Sequence, residues 1–395
     1  MPYKNHQNKE IDVVIYGATG FAGKLIAEYF QNAYTDSDVR WAMAGRNLDK
    51  LQRIRDEITA PPDTLLLTSD SKDISGLSKI ARQAKVVLST VGPFTLYGQE
   101  LVKACVEAGT DYIDLCGEAN FIREMIDLHS ANAQQTGARI IFSCGFDSLP
   151  LDLGVHFLQK SAKEQFGKHC LEVRARVQAM SGEFSGGTAE SFKVPVALGM
   201  KNPKVMDYLV DPFSLTPGFK GPKQPCDQTP TYEEDLESWS GPFFMGSINR
   251  QNVHRSNALM GFPYSKDFIY SEMRLTGAGE DGKAAAQALA EDQWIFSEDA
   301  PKPGEGPSRD VRENGFYEIA YLGKTSSGER ITLIVRGDMD PGYGSTAKIV
   351  SECALCLIEN QATTPGGIWT GSSAMGDVLR QRLAINAGLT FDLKS

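Results

Sequence analysis

The start of the chain restricts its fold more than any other stretch. An apolar, β-branched run, Ile11-Asp12-Val13-Val14-Ile15-Tyr16, leads directly into Gly17-Ala18-Thr19-Gly20-Phe21-Ala22-Gly23 and then Lys24-Leu25-Ile26-Ala27-Glu28. A strand that stops at closely spaced glycines and restarts as a helix gathers unpaired backbone N–H groups and the positive helix end at one point. That point suits a pyrophosphate, so a dinucleotide is the leading ligand, with Gly17, Thr19, Gly20, Phe21 and Gly23 around it. Glycine-rich turns also serve ordinary chain reversals, and the spacing here is G-x-x-G-x-x-G rather than the tighter G-x-G-x-x-G. An ATPase phosphate loop is disfavoured: five residues separate Gly17 from Gly23, and Leu25 stands where Ser or Thr would hold magnesium.

A second strand, Val39 to Ala44, ends at Gly45-Arg46-Asn47, where such folds meet the adenosine ribose. An Asp or Glu there would accept from a free 2′-hydroxyl; a guanidinium instead favours a 2′-phosphate by charge and paired donors. Arg46 therefore predicts NADP(H) in preference to NAD(H), the alternative being a solvated residue that caps the next helix, Leu48 to Ile58.

With 395 residues, 41% hydrophobic and 23% charged, the chain is long enough for two domains and a large core. Forty basic against 50 acidic residues, net −10, leave no cationic footprint for nucleic acid. The first ten residues are polar and no run of about 18 apolar residues occurs, so neither a signal peptide nor integral membrane insertion is expected and the protein reads as cytoplasmic. Seven scattered cysteines fit reduced, mostly buried thiols. Cys353 and Cys356 form a C-x-x-C inside an apolar helical stretch, without a second pair or a nearby His.

Strand-like runs at 11–16, 39–44, 64–68, 86–91, 111–115 and 139–143 alternate with helical spacing at 21–31, 48–58, 74–83, 99–108 and 121–136. This predicts an α/β protein whose residues 1–155 form a doubly wound, Rossmann-type parallel sheet. Ligands bind beyond the carboxyl ends of such strands. The residues placed there are Arg46, Ser69-Asp70, Thr90-Val91-Gly92-Pro93-Phe94, Asp114 to Glu118 with Gly117 among them, and Ser143 to Ser148. Asp70 could flank the adenine, and the last three loops should converge near the nicotinamide. Residues 156–339 read as an α+β second domain with a mixed or antiparallel sheet, from strands at 172–180, 268–276, 315–322 and 331–337. A proline-rich stretch, Asn202 to Thr231, reads as an ordered loop, and Ser297 to Arg309 as a second loop. Residues 340–395 read as a turn and long helix returning to the first domain.

The assembled motifs resemble the saccharopine dehydrogenase-like oxidoreductases, in the branch that includes the trans-acting enoyl reductases, over nearly the whole length. They are Gly17 to Gly23, Ala44-Gly45-Arg46, Val91-Gly92-Pro93-Phe94 with Tyr97-Gly98, Asp114 to Glu118, and Cys144 to Pro150 with Asp152-Leu153-Gly154. Ser185-Gly186-Gly187-Thr188, Pro242-Phe243-Phe244-Met245, Arg255 to Leu259 and Pro341-Gly342-Tyr343-Gly344 follow. The resemblance implies an NAD(P)-type fold, redox chemistry at a C=C, C=N or equivalent centre on a small-molecule or acyl-type, lipid-like substrate, and a second domain that mediates homodimerisation. Cys116 stands where relatives look to carry Thr.

Hydride chemistry belongs to the cofactor; the protein positions it and stabilises charge. For an enoyl thioester, a donor to the enolate oxygen and a proton for the α-carbon are needed. Tyr97, Ser148 and Asp147 are the candidates, with the N–H groups of Gly145 and Phe146. Asp114 and Glu118 read either as acid/base groups or as caps for loop N–H groups. Gly187, Thr188, Arg255 and Asn257 are candidate substrate contacts, Arg255 having an interdomain salt bridge as its alternative role. His129, His156 and His254 lack ligand companions, so no metal is expected, and no G-x-S-x-G elbow supports a hydrolase. An NADPH-dependent reductase of an enoyl or imine-type substrate is the leading expectation; a non-catalytic nucleotide-binding scaffold or sensor is the alternative.

Overall fold

The computed structural model describes residues 9–183, 185–292, 302, 304–359 and 364–394. The initial repeat is built from β1 (Ile11–Tyr16), α1 (Phe21–Tyr34), β2 (Trp41–Gly45), α2 (Leu48–Glu57), β3 (Leu65–Thr68), α3 (Ile74–Gln83) and β4 (Ala84–Ser89). It continues through α4 (Phe94–Tyr97), α5 (Gln99–Ala108), β5 (Asp111–Asp114), α6 (Ala119–Thr136), β6 (Arg139–Ile141) and α7 (Leu149–Phe166). Every residue of β1 is buried, as a strand covered by helices on both faces must be. The helices stop where glycine can take a left-handed turn, at Gly109, Gly137 and Gly167.

The second half contains β7 (Cys170–Ser181), α8 (Gly186–Gly199), α9 (Pro203–Val210), β8 (Thr231–Glu233), β9 (Ser238–Pro242), α10 (Gly246–Leu259), β10 (Ile269–Gly277) and α11 (Gly279–Glu291). After them come α12 (Arg309–Glu313), β11 (Phe316–Thr325), β12 (Arg330–Gly337), a π-helical turn (Pro341–Ser345), α13 (Thr346–Glu359), β13 (Gly367–Trp369), α14 (Gly371–Asn386) and β14 (Leu389–Lys394).

Two seven-stranded sheets result. The first runs β13-β6-β5-β4-β1-β2-β3, all parallel, and the second β14-β12-β11-β7-β10-β9-β8. In the second sheet β7 and β10 pair in parallel and the other neighbours antiparallel. Helix α7 carries the chain from one sheet to the other, packing Leu151, Val155 and Leu158 into the core below β7, β11 and β12.

Two expectations need correction. Residues 340–395 do not all return to the first sheet: α13 packs on α1, β1, β4 and β5, and β13 pairs with β6, but β14 adds to the edge of the second sheet beside β12. Its Leu-Thr-Phe-Asp-Leu-Lys alternation is what an edge strand with one covered face requires. The proline-rich stretch opens as a helix, α9, because Pro203 occupies its first turn, where no N–H is missed, and Asn202 caps it through the N–H of Lys204. Of the second loop, residues 297–301 and 303 lie outside the described residues. Six of the seven cysteines are buried and Cys226 is exposed; Cys353 and Cys356 both lie on α13.

Candidate active site

The turn after β1 is shaped by close approach. Gly17 has a φ of +96°, and a Cβ on it would lie 2.5 Å from Thr90 Oγ1 and 2.7 Å from Val91 Cγ2; one on Gly23 would lie 2.1 Å from the Gly17 carbonyl oxygen. The N–H groups of Gly17 and Ala18 bond to the Ala44 carbonyl and that of Gly20 to Gly17. Gly20, at the N-cap of α1, offers no side chain, and the first turn holds no acidic residue. The opening amides of α1 thus face outward without a cap and with the helix dipole behind them, which fits an anion. Thr90 Oγ1, 3.3 and 3.2 Å from the Tyr16 and Gly17 carbonyls, ties the end of β4 to this turn.

Arg46, at the end of β2, is 77% exposed and 4.0 Å from Asp70 at the end of β3. Asn47, not Arg46, caps α2, its Oδ1 accepting from the N–H of Lys50 at 2.9 Å. The guanidinium is therefore free to meet a phosphate beside the ribose position, and these residues fit a 2′-phosphorylated dinucleotide.

Beyond the carboxyl ends of β1, β4, β5 and β6 lies a cavity of about 250 Å³ whose other wall comes from the second half of the chain. Gly20, Phe21, Thr90, Gly92, Gly117, Asp147 and Ser148 form one side, and Gly187, Thr188, Phe192, Met245 and Tyr343 another. Val91 and Pro93 flank Gly92 in the same turn, Pro93 standing at the N-cap of α4. Ser148 is 3% exposed and its Oγ has no hydrogen-bond partner among the described residues. Asp147 has its carboxyl pushed up to about 7, first by removal from water and then by the charge of Asp340. Tyr343 is held from two sides: its ring meets Phe21 edge-on at 5.0 Å, and its hydroxyl lies 2.6 Å from both the Ser185 N–H and Thr188 Oγ1.

Asp114 and Glu118 take the capping role. Glu118 accepts from the N–H groups of Phe94 (2.7 Å) and Thr95 (2.8 Å) and from Thr95 Oγ1 (2.5 Å), closing the α4 turn over the cavity. Asp114 accepts from the N–H groups of Cys116 and Ser143 and from the Tyr112 hydroxyl, joining the loops after β5 and β6. Burial nevertheless pushes both carboxyls up, Asp114 to about 7.

Residues 13–141 match the saccharopine dehydrogenase NADP-binding domain. Over 402 residues, 95% of this chain and 96% of the other, the sequence is 37% identical to a Mycobacterium tuberculosis protein provisionally named a trans-acting enoyl reductase. It is 35% identical, over the same shares, to the trans-acting enoyl reductase of Mycobacterium ulcerans. The chain belongs to the saccharopine dehydrogenase-like family. It is an NAD(P)-dependent oxidoreductase. In fold it is similar to the saccharopine dehydrogenase (L-Glu forming) of Saccharomyces cerevisiae, with a TM-score of 0.56 at 16% identity, covering 97% of this chain and 99% of that one.

Three residues picked from the sequence are not brought to the cavity of this saccharopine dehydrogenase-like protein. Arg255 is 6% exposed and donates to the Leu215 and Ile368 carbonyls at 2.5 and 2.6 Å, so its charge is spent joining α10 to β13 and the proline-rich stretch. Asn257 bonds the Ser265 carbonyl and the Tyr264 N–H, fixing the turn after α10. Tyr97 ends α4, 39% exposed and outside the cavity lining. Conversely, Phe192 and Met245 line the cavity without having been singled out as site residues. Among the described residues no helix is long and apolar enough to cross a membrane.

Proposed function

We propose that this protein is an NADPH-dependent reductase acting on the C=C bond of an enoyl-type acyl substrate seated in the cavity between the two sheets. The observation that carries this reading is the pair Asp147 and Ser148: a carboxyl pushed up to about 7 next to a hydroxyl without a partner, both on the wall beyond β6. The bound nicotinamide supplies hydride. An enoyl acceptor reduced at its β-carbon carries charge on its carbonyl oxygen, and Ser148 Oγ–H is the donor available to hold it. Asp147, protonated near neutrality, carries the proton that the α-carbon takes up. Phe192 and Met245 keep water from the reacting carbons and give an acyl chain apolar contact. The names of the mycobacterial relatives support an enoyl over an imine acceptor. Arg46 supports NADPH over NADH through its exposed guanidinium.

The test is NADPH oxidation by the purified protein across enoyl thioesters, ketones and cyclic imines. Turnover confined to enoyl thioesters is expected. Binding of NADPH with no oxidation by any acceptor would overturn the reading.

A further inference from the structure

A second hollow, of about 440 Å³, adjoins the turn after β1 and shares Gly20 and Phe21 with the substrate cavity. Thr19, Gly20 and Phe21 form its floor, and Arg309 and Arg312 enter its rim from the second half of the chain. Three cations border it, and two are already paired: Lys24 lies 2.5 Å from Glu57, and Arg309 lies 2.7 Å from Glu313. Arg312 has no carboxylate within ion-pair distance among the described residues. Its Nη1 donates to the Pro307 carbonyl at 2.7 Å, and its guanidinium lies 5.8 Å from the centre of the Phe21 ring. Asp340, whose carboxyl feels the Arg312 charge, gives its oxygens to the N–H groups of Tyr343 and Gly344.

Arg312 is also held in place by backbone. Its carbonyl accepts the Asp340 N–H at 3.0 Å, so the turn that sets Tyr343 in the substrate cavity also sets Arg312 above the first residue of α1. Phe21 is the shared contact, with Tyr343 against its ring on one side and Arg312 near it on another. A guanidinium with no carboxylate beside it among the described residues therefore borders the same hollow as Gly20 and Phe21 at the start of α1.

We propose that Arg312 is a positioning residue for the cofactor, supplied from the second half of the chain to the diphosphate bridge of the dinucleotide. The inference rests on the dinucleotide reading of the α1 turn. A diphosphate offers paired anionic oxygens, which suit a planar guanidinium better than an ammonium group. Because the diphosphate is common to NADPH and NADH, Arg312 binds both, whereas Arg46 tells them apart.

The experiment is fluorescence titration of NADPH and of NADH, without substrate, into the wild type, Arg312→Ala, Arg312→Lys and Arg309→Ala. Loss of a charge-assisted contact predicts that Arg312→Ala weakens both nucleotides about tenfold or more, with a shallower dependence on salt. Arg312→Lys should recover part of the loss, and Arg309→Ala should bind like wild type. Equal affinities in wild type and Arg312→Ala would overturn the proposal. So would a loss in Arg312→Ala that keeps the wild-type salt dependence and is not relieved by lysine, the result expected if the side chain only braces the Pro307 turn. Failure of the wild type to bind either nucleotide would instead overturn the dinucleotide reading itself.

Discussion

Arg46 and Asp70 face each other at 4.0 Å across the ends of neighbouring strands β2 and β3, with 77% and 48% of their side-chain surfaces open to water. So exposed a pair holds itself weakly, and a phosphate can displace the carboxylate. Arg46→Ala should weaken NADPH by about 1–3 kcal/mol while leaving NADH nearly unchanged. Asp70→Asn, which removes a like charge, should tighten NADPH modestly. Isothermal titration of both nucleotides checks the two variants, and equal losses for NADPH and NADH in Arg46→Ala would remove the 2′-phosphate contact.

A pH profile tests Asp147. Its carboxyl is pushed up to about 7, so it holds a proton below that pH and loses it above. The rate of acceptor reduction at saturating NADPH should fall as pH rises through about 7, since the ionised form has no proton to give. Asp147→Asn should be slow at every pH and should lose this descending limb. A profile in the variant that still falls through the same range would assign the titration to another group.

Glu118 makes a different kind of prediction. Its carboxylate satisfies two backbone N–H groups of the 93–97 turn as well as the Thr95 hydroxyl. Glu118→Ala leaves those donors without an acceptor, at a cost of about 2–3 kcal/mol. Urea unfolding should register that loss, and the substrate KM should rise because the turn forms part of the cavity rim. Glu118→Gln keeps an acceptor oxygen and should lie between alanine and wild type.

At the opposite ends of the same strands, Asp111 and Arg139 are fully buried as a pair, with Arg139 Nε 3.1 Å from both carboxylate oxygens and Nη2 2.9 Å from the Leu357 carbonyl. Asp111→Ala strands a guanidinium in the core and should destabilise the protein by about 3–5 kcal/mol. The pair begins β5 and β6, away from the cavity, so NADPH affinity of the folded variant should match wild type. Chemical denaturation and titration on one sample separate the two effects.

What the sequence showed and what it hid follow from how local each signal is. The six parallel strands and the glycine turn were legible because strand, turn and helix stand within a few residues of one another, and their periodicity is unbroken. Strand β14 was missed, residues 340–395 reading as a turn and long helix returning to the first domain, because six alternating residues do not name the sheet that takes them. Arg255 looked like a ligand contact because a cation beside two polar residues is consistent with anion binding; only packing shows that two carbonyls consume it. Phe192 carries no local mark at all, being an ordinary aromatic on α8 until that helix is laid against the cavity. Asp147 and Ser148 could be placed beyond a strand end, but the missing partner of Ser148 is a property of the folded interior.

The late placement of β13 and β14 has a consequence for biosynthesis. Each sheet receives an edge strand from residues 367–394, so neither is whole while that stretch is still inside the ribosome. The glycine turn and α1 lie within residues 17–34, whereas the helix α13 that packs on α1 and the edge strands of both sheets all follow residue 345. A nonsense codon before position 367 would remove β13 and β14 at once and leave β6 and β12 as the outer strands of their sheets.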